Sequence, residues 1–172
     1  RLTTSTPILG SKSTAKLISF QENSGYDSYN KTKTYNAPIS VEAEFAYSSA
    51  LNDMLSKHSG HSFIIGNRTF VFWAIPKDKN RTKDQFEAFF APIFDFNNGN
   101  PDNNVEAVKE LLDAPNSGWL REEGDDSFYI LGLAPNAARI SVQYWQKGTI
   151  KELAGNIRQH FIDLKIIGDD NI

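Results

Sequence analysis

The chain contains no cysteine at all. That excludes disulfides, thiolate metal sites and a cysteine nucleophile, and it suits a reducing cytoplasm. Long apolar runs are also missing. Nothing approaches the ~18 residues that a membrane-spanning helix needs, and no charged-then-apolar leader opens the sequence. Basic excess is absent too. Eighteen Lys and Arg stand against 21 Asp and Glu, for a net charge of −3 and a pI near 5.6. A domain that held nucleic acid by bulk electrostatics would be basic, because each neutralised phosphate needs a cation. Any such contact here must be local or shared with partner subunits.

Catalytic signatures are equally scarce. No Gly-rich phosphate loop precedes a helix, and no G-x-S-x-G occurs. Three histidines, His58, His61 and His160, are spread along the chain. His58 and His61 lie three apart, but no suitably spaced acid completes a metal site beside them. Glu122, Glu123, Asp125 and Asp126 cluster in a polar turn around Gly124. Paired carboxylates can hold magnesium, yet no partnering motif accompanies these, and the reading is a solvated acidic turn. The expectation is a protein that is not an enzyme and needs neither metal nor cofactor.

What is present is organised around SFYILGLAPNAARISVQYW, residues 127–145. Its first half is almost uninterrupted apolar sequence and reads as a strand buried on both faces. Its second half alternates. Ile140, Val142 and Tyr144 are assigned to the core, and Arg139, Ser141, Gln143 and Trp145 to the opposite side. Ala134-Pro135-Asn136-Ala137-Ala138 is the expected turn, with Pro135 at its first central position. A second hairpin is sharper still: Phe63-Ile64-Ile65, then Gly66-Asn67, then Arg68 to Ala74. There Phe70 and Phe72 share one face and Val71 and Trp73 the other. TFVFWA bears some likeness to the base-stacking strand of an RNA-recognition module but lacks its Gly-aromatic pattern, so these rings are read as core.

Helix signals fill the intervals. Ser40 is an N-cap, with Glu42 and Glu44 in the first turn. Ala43, Tyr47, Ala50, Leu51, Met54 and Leu55 then share a face, and the helix should stop near Lys57. Thr82 and Gln85 make a capping box for a helix bearing Phe86, Phe89, Phe90, Ile93 and Phe94. Asn97 to Pro101 is a turn. Val105, Val108, Leu111 and Leu112 mark a further helix, ended by Pro115 and Gly118. Thr149 and Glu152 form another capping box, and Ile150, Leu153, Ala154, Ile157, Phe161 and Leu164 make a helical stripe behind it. Residues 16–20 suit a short strand. Residues 21–38 read as a loop, in which Tyr26, Tyr29 and Tyr35 with Lys31 and Lys33 either stack on bases or pin the loop to the domain. Helices paired with hairpins imply an α+β fold with antiparallel hairpins. At 172 residues a single domain spanning 1–172 is expected, with 1–15 as a linker or cut edge and ~70% of the unfolded surface buried.

Three stretches carry a family resemblance. FYILGLAPNAARISVQYW resembles the signature of the large subunit of type I-C CRISPR surveillance (Cascade) complexes, the Dvulg-subtype CRISPR-associated protein family. LISFQENSGYDSYNKTKTYNAPISVEAEFAYSSALNDML, residues 17–55, is similar to that family's extended segment and following helix, and TFVFWA, residues 69–74, to its Phe-Trp-Ala strand. Order and spacing agree over most of residues 17–164. Relatives run to several hundred residues, so the resemblance implies an internal piece of a longer prokaryotic, cytoplasmic chain. Gln143 departs from the pattern, since Arg is common there, and this weakens a phosphate-gripping role.

The resemblance implies a non-catalytic, structural and nucleic-acid-contacting part of a crRNA-guided antiviral complex, which helps recognise target DNA and stabilise the opened strands. The partners implied are the other subunits and target DNA, with no membrane and no small-molecule substrate. Asn136, Arg139, Gln143, Trp145 and Lys147 are the candidate contacts: Arg and Lys for phosphates, amides as donors, Trp145 to stack a base. The alternative is a protein-interaction module that docks on neighbouring subunits and never touches nucleic acid. The acidic pI and the Phe-rich helix favour it.

Overall fold

The computed structural model describes residues 8–12, 15–18, 29–36, 38–56, 59–78 and 124–163. Several expectations therefore lie outside the described residues. They are the helix with Phe86 to Phe94 and its capping box, the turn at Asn97 to Pro101, the Val105 to Leu112 helix and its Pro115–Gly118 end. Tyr26, Lys57, His58, Glu122, Glu123 and Leu164 lie outside as well.

Two helices and four strands are described. Helix α1 spans Val41–Met54, strands β1 to β4 span Ser62–Ile65, Arg68–Ile75, Ser127–Asn136 and Arg139–Thr149, and helix α2 spans Ile150–Asp163. The strands form one antiparallel sheet in the order β1-β2-β3-β4, so the fold is α+β as expected. The chain divides into two compact units. One comprises Arg1–Phe72 with Ile130–Trp145, and the other Trp73–Tyr129 with Gln146–Ile172.

In the first unit, β1 and β2 pair with Ile65 opposite Arg68 and Phe63 opposite Phe70. The two-residue connection demands a positive φ, and Gly66 supplies it at +61° without the Cβ clash other residues would suffer. Phe63 stacks on Phe70 with centroids 5.1 Å apart and lies 6.1 Å from Phe72. Val71 and Phe72 are essentially sealed from solvent, and Leu133, Ala134 and Ile140 are buried too. Burying a side chain such as Phe72 contributes about 1.5–3 kcal/mol. One cost sits among them: the buried Thr69 hydroxyl finds no hydrogen-bond partner among the described residues.

The turn between β3 and β4 differs from expectation. Strand β3 runs on through Pro135 to Asn136, and the chain reverses at Ala137-Ala138. The positive φ falls on Ala137, at +51°, not on Asn136. Pro135 is tolerated because it stands one residue from the strand's end, where a missing N–H costs least. Within the segment 1–15, read as a linker or cut edge, Ile8 and Ala15 are among the most buried of the described residues. Of the described residues 16–18, Lys16 makes a bridge, in parallel with Arg139; Ser19 and Phe20 lie outside the described residues.

Helix α1 begins as its sequence dictates. The Ala43 amide donates to Ser40 Oγ at 3.1 Å. The Glu42 carboxylate is held below its ordinary value by its own backbone N–H and then by the Ser40 hydroxyl. The buried stripe is rotated from the expected one. Ser48 and Leu51 are buried, Tyr47, Met54 and Leu55 are half-buried, and Ala43 and Ala50 are exposed. A polar residue can occupy that position because the Ser48 hydroxyl donates to the Phe45 carbonyl of its own helix at 3.2 Å. The helix ends at Met54, short of Lys57, and the Ser59 hydroxyl donates to its Met54 carbonyl at 2.5 Å. His61 follows, its Nδ1 3.3 Å from the Phe72 carbonyl.

In the second unit the predicted capping box is complete. The Thr149 amide donates to Glu152 Oε2 at 2.8 Å, and the Glu152 amide to Thr149 Oγ1 at 3.2 Å. Ile150 and Ala154 are buried beneath it, with Leu153 and Ile157 half-buried, so the stripe faces inward. The acidic turn divides. Asp125 is solvated and pairs with Lys77 at 3.4 Å, both side chains more than 70% exposed. Asp126 is only 6% exposed and accepts the Lys77 backbone N–H at 2.8 Å. Its carbonyl also accepts from the Ile150 amide at 3.1 Å, tying the turn to the start of α2.

Candidate nucleic-acid interface

Four of the five candidate contacts belong to the first unit, and the hairpin β3–β4 positions all four. Asn136 is exposed at the end of β3, and Arg139, Gln143 and Trp145 follow at alternate positions of β4. Gln143 is exposed, Arg139 is half-buried, and Trp145 leaves 54% of its surface open. The Gln143 amide nitrogen donates to Ser141 Oγ at 2.8 Å, and that hydroxyl reaches back to the Ala134 carbonyl at 3.5 Å. One amide proton of Gln143 is thus committed along the strand. Its carbonyl and second N–H remain as polar handles.

The expectation that Val142 and Tyr144 belong to the core does not hold. Ile140 is buried, but Val142 is 55% exposed and Tyr144 42%. Strand β4 is the last in the sheet order, and beyond the single Lys16 bridge at its start no further strand is described on its outer flank. Alternation survives as geometry without its expected burial. Tyr144 turns its ring edge-on to Phe70, 6.1 Å between centroids and 65° between planes.

A residue that sequence reasoning missed enters beside Arg139. The Lys16 amide donates to the Ala138 carbonyl at 3.2 Å, and the Ile140 amide donates to the Lys16 carbonyl at 2.9 Å. This parallel bridge brings exposed Lys16 alongside Arg139, placing two cations at the start of β4. No local pattern around Lys16 announces it, since only tertiary pairing joins positions so far apart.

Lys147 belongs to the second unit. Its ammonium stands 5.7 Å over the Tyr129 ring, within cation–π range. Tyr129 in turn stacks on Trp73 at 5.2 Å with planes 11° apart. Trp73, assigned to the core, is half-buried, as is Tyr129. The cation at 147 is oriented by an aromatic pair while remaining exposed.

A model of the CRISPR-associated protein family Cas_Csd1 matches residues 2–172. The chain belongs to that family. Membership in the Csd1 family makes it a CRISPR-associated protein of the Cascade large-subunit kind, in agreement with the resemblance carried by its hairpin signature. No curated protein matches the chain. Chemically, β4 offers a half-buried Arg139, an exposed Gln143 amide and an exposed Trp145 indole, with Lys16 at its start.

Among the described residues no group of three His, Asp or Glu side chains converges as a metal site. Their helices include none long and apolar enough to cross a membrane.

Proposed function

We propose that the chain is a non-catalytic, structural and nucleic-acid-contacting part of a crRNA-guided type I-C antiviral complex. It acts in the cytoplasm, beside other subunits, in recognising target DNA and holding it open. The observation that carries this is the Csd1 family match over residues 2–172, together with a β4 row of Arg139, Gln143 and Trp145 left accessible at the sheet's edge. In such complexes the guide reads sequence by base pairing, so the protein has to supply surfaces rather than reaction chemistry. An acidic chain fits this role because its cations need act only where the strand passes.

A specific observation favours a second reading. Val41 and Phe45 of α1 are 77% and 72% exposed, and Ile39 just before them 44%. Apolar side chains so placed suit contact with another protein, as a docking module would require. A photo-crosslinking residue at position 143, installed in the assembled complex with target DNA, separates the two. Crosslinks to DNA or crRNA are the expected result. Crosslinks to protein alone would reject nucleic-acid contact by this face and favour the docking module.

A further inference from the structure

The backbone of loop 29–36 enters the left-handed region three times. Tyr29, Asn30 and Lys33 all adopt positive φ, at +54°, +57° and +52°. Side-chain-bearing residues enter that region at a cost, and it persists where the surroundings enforce it. Here the enforcement is local. Asn36 Nδ2 donates to the Lys31 carbonyl at 2.8 Å, and the Tyr35 amide donates to the Thr32 carbonyl at 3.1 Å, closing a 3-10 turn over Lys33–Asn36.

The side chains this conformation presents are unusual for a loop held so firmly. Tyr29 is 94% exposed and Tyr35 74%, so neither ring pins the loop to the domain, one of the two roles the sequence allowed. Lys31 and Lys33 between them are exposed as well. YNKTKTYN carries two cations and no acid, in a chain whose net charge is −3. Two open aromatic faces flanking positive charge call for a ligand with its own flat π-faces and dense negative charge. Single-stranded nucleic acid has both, whereas a duplex keeps its base faces stacked inside. An anionic membrane would also attract the lysines, but insertion wants Trp, Phe or Leu, and the loop has none.

We propose that loop 29–36 is a stacking site for the unpaired bases of a single strand, with Tyr29 and Tyr35 as platforms and Lys31 and Lys33 on the flanking phosphates. The proposal shares only its ligand class with the β4 reading and uses no residue of β4. The test is fluorescence anisotropy of labelled oligothymidylate of about 15 nucleotides, titrated with the chain across a salt series. Tyr29→Ala with Tyr35→Ala should weaken binding at least about tenfold at every salt concentration, while the paired Tyr→Phe changes keep it, because the ring does the stacking. Lys31→Ala with Lys33→Ala should reduce the salt slope by about 1.4, at ~0.7 per single-strand phosphate. Circular dichroism checks that each variant is folded. No measurable binding by the parent, equal binding by the tyrosine-to-alanine variant, or tighter binding to duplex would overturn the proposal. So would transfer of the chain to phosphatidylserine vesicles in place of the oligonucleotide. This readout and the position-143 crosslink are separate, so either proposal can fail alone.

Discussion

Gly132 shows how one missing side chain sets the packing of a sheet face. It lies inside β3 with Phe70 on one flank and Tyr144 on the other. A Cβ built there would come within 2.8 Å of Phe70 Cε1 and of Tyr144 Cβ. The Phe70 ring could rotate away, but Tyr144 Cβ is fixed to its own backbone, so β4 itself would have to move. The edge-on contact between Phe70 and Tyr144 exists because both fill the space over the glycine. Gly132→Ala should therefore cost about 1–3 kcal/mol as an overpacking change, despite alanine's ordinary advantage over glycine within a strand. Urea denaturation measures this directly. A neutral or stabilising result would mean that the two rings do not close over Gly132 as described.

At the level of elements, Asp125 and Asp126 were indistinguishable in sequence and have different roles in the structure. Asp126 satisfies a backbone N–H at a site only 6% exposed, and its own carbonyl receives the first amide of α2. Removing its carboxylate leaves a part-buried donor without its partner, so Asp126→Ala should cost about 1–3 kcal/mol. Asp125→Ala removes a solvated ion pair and should cost less than about 1 kcal/mol. Equal losses in a denaturation experiment would contradict this division. Several local signals were legible, though the β3–β4 turn, placed one step late at Ala137-Ala138, was not. Ser40, Gly66 and the Thr149–Glu152 box specify their caps and turn through residues a few positions away, which is why the sequence exposes them. The β4 alternation was legible too, placing Arg139, Gln143 and Trp145 at every second position. What it could not convey was non-local. Burial of Val142 and Tyr144 depends on what packs over their face of β4, and Lys16 joins Arg139 only through folding. The positive φ of Tyr29 and Lys33 is assigned to neither residue type by propensity, and the exposure of Tyr29 and Tyr35 had no local signal.

For the whole molecule, the decisive quantity is where charge lies rather than how much there is. A net charge of −3 repels a polyanion at long range, and screening at physiological salt confines attraction to cations within ~8 Å of phosphate. The chain alone should therefore bind duplex DNA weakly, and the β4 residues should matter chiefly once the assembled complex holds the strand against them. Arg139, beside Lys16 in the first unit, and Lys147, over Tyr129 in the second, are the candidate phosphate partners. Removing one cation from a phosphate reduces the dependence of log K on log salt by about 0.9 for duplex DNA, without altering which sequence is preferred. Arg139→Ala and Lys147→Ala, introduced into the assembled complex, should each weaken target binding most at low salt and flatten the salt slope by about that amount. Trp145→Ala should instead weaken binding nearly equally at all salt concentrations, because stacking releases no counterions. The three variants thus separate charge from stacking on one strand. If folded Arg139→Ala and Lys147→Ala complexes follow the parent's line across the whole salt series, phosphate does not meet β4, and the exposed row serves a protein partner instead.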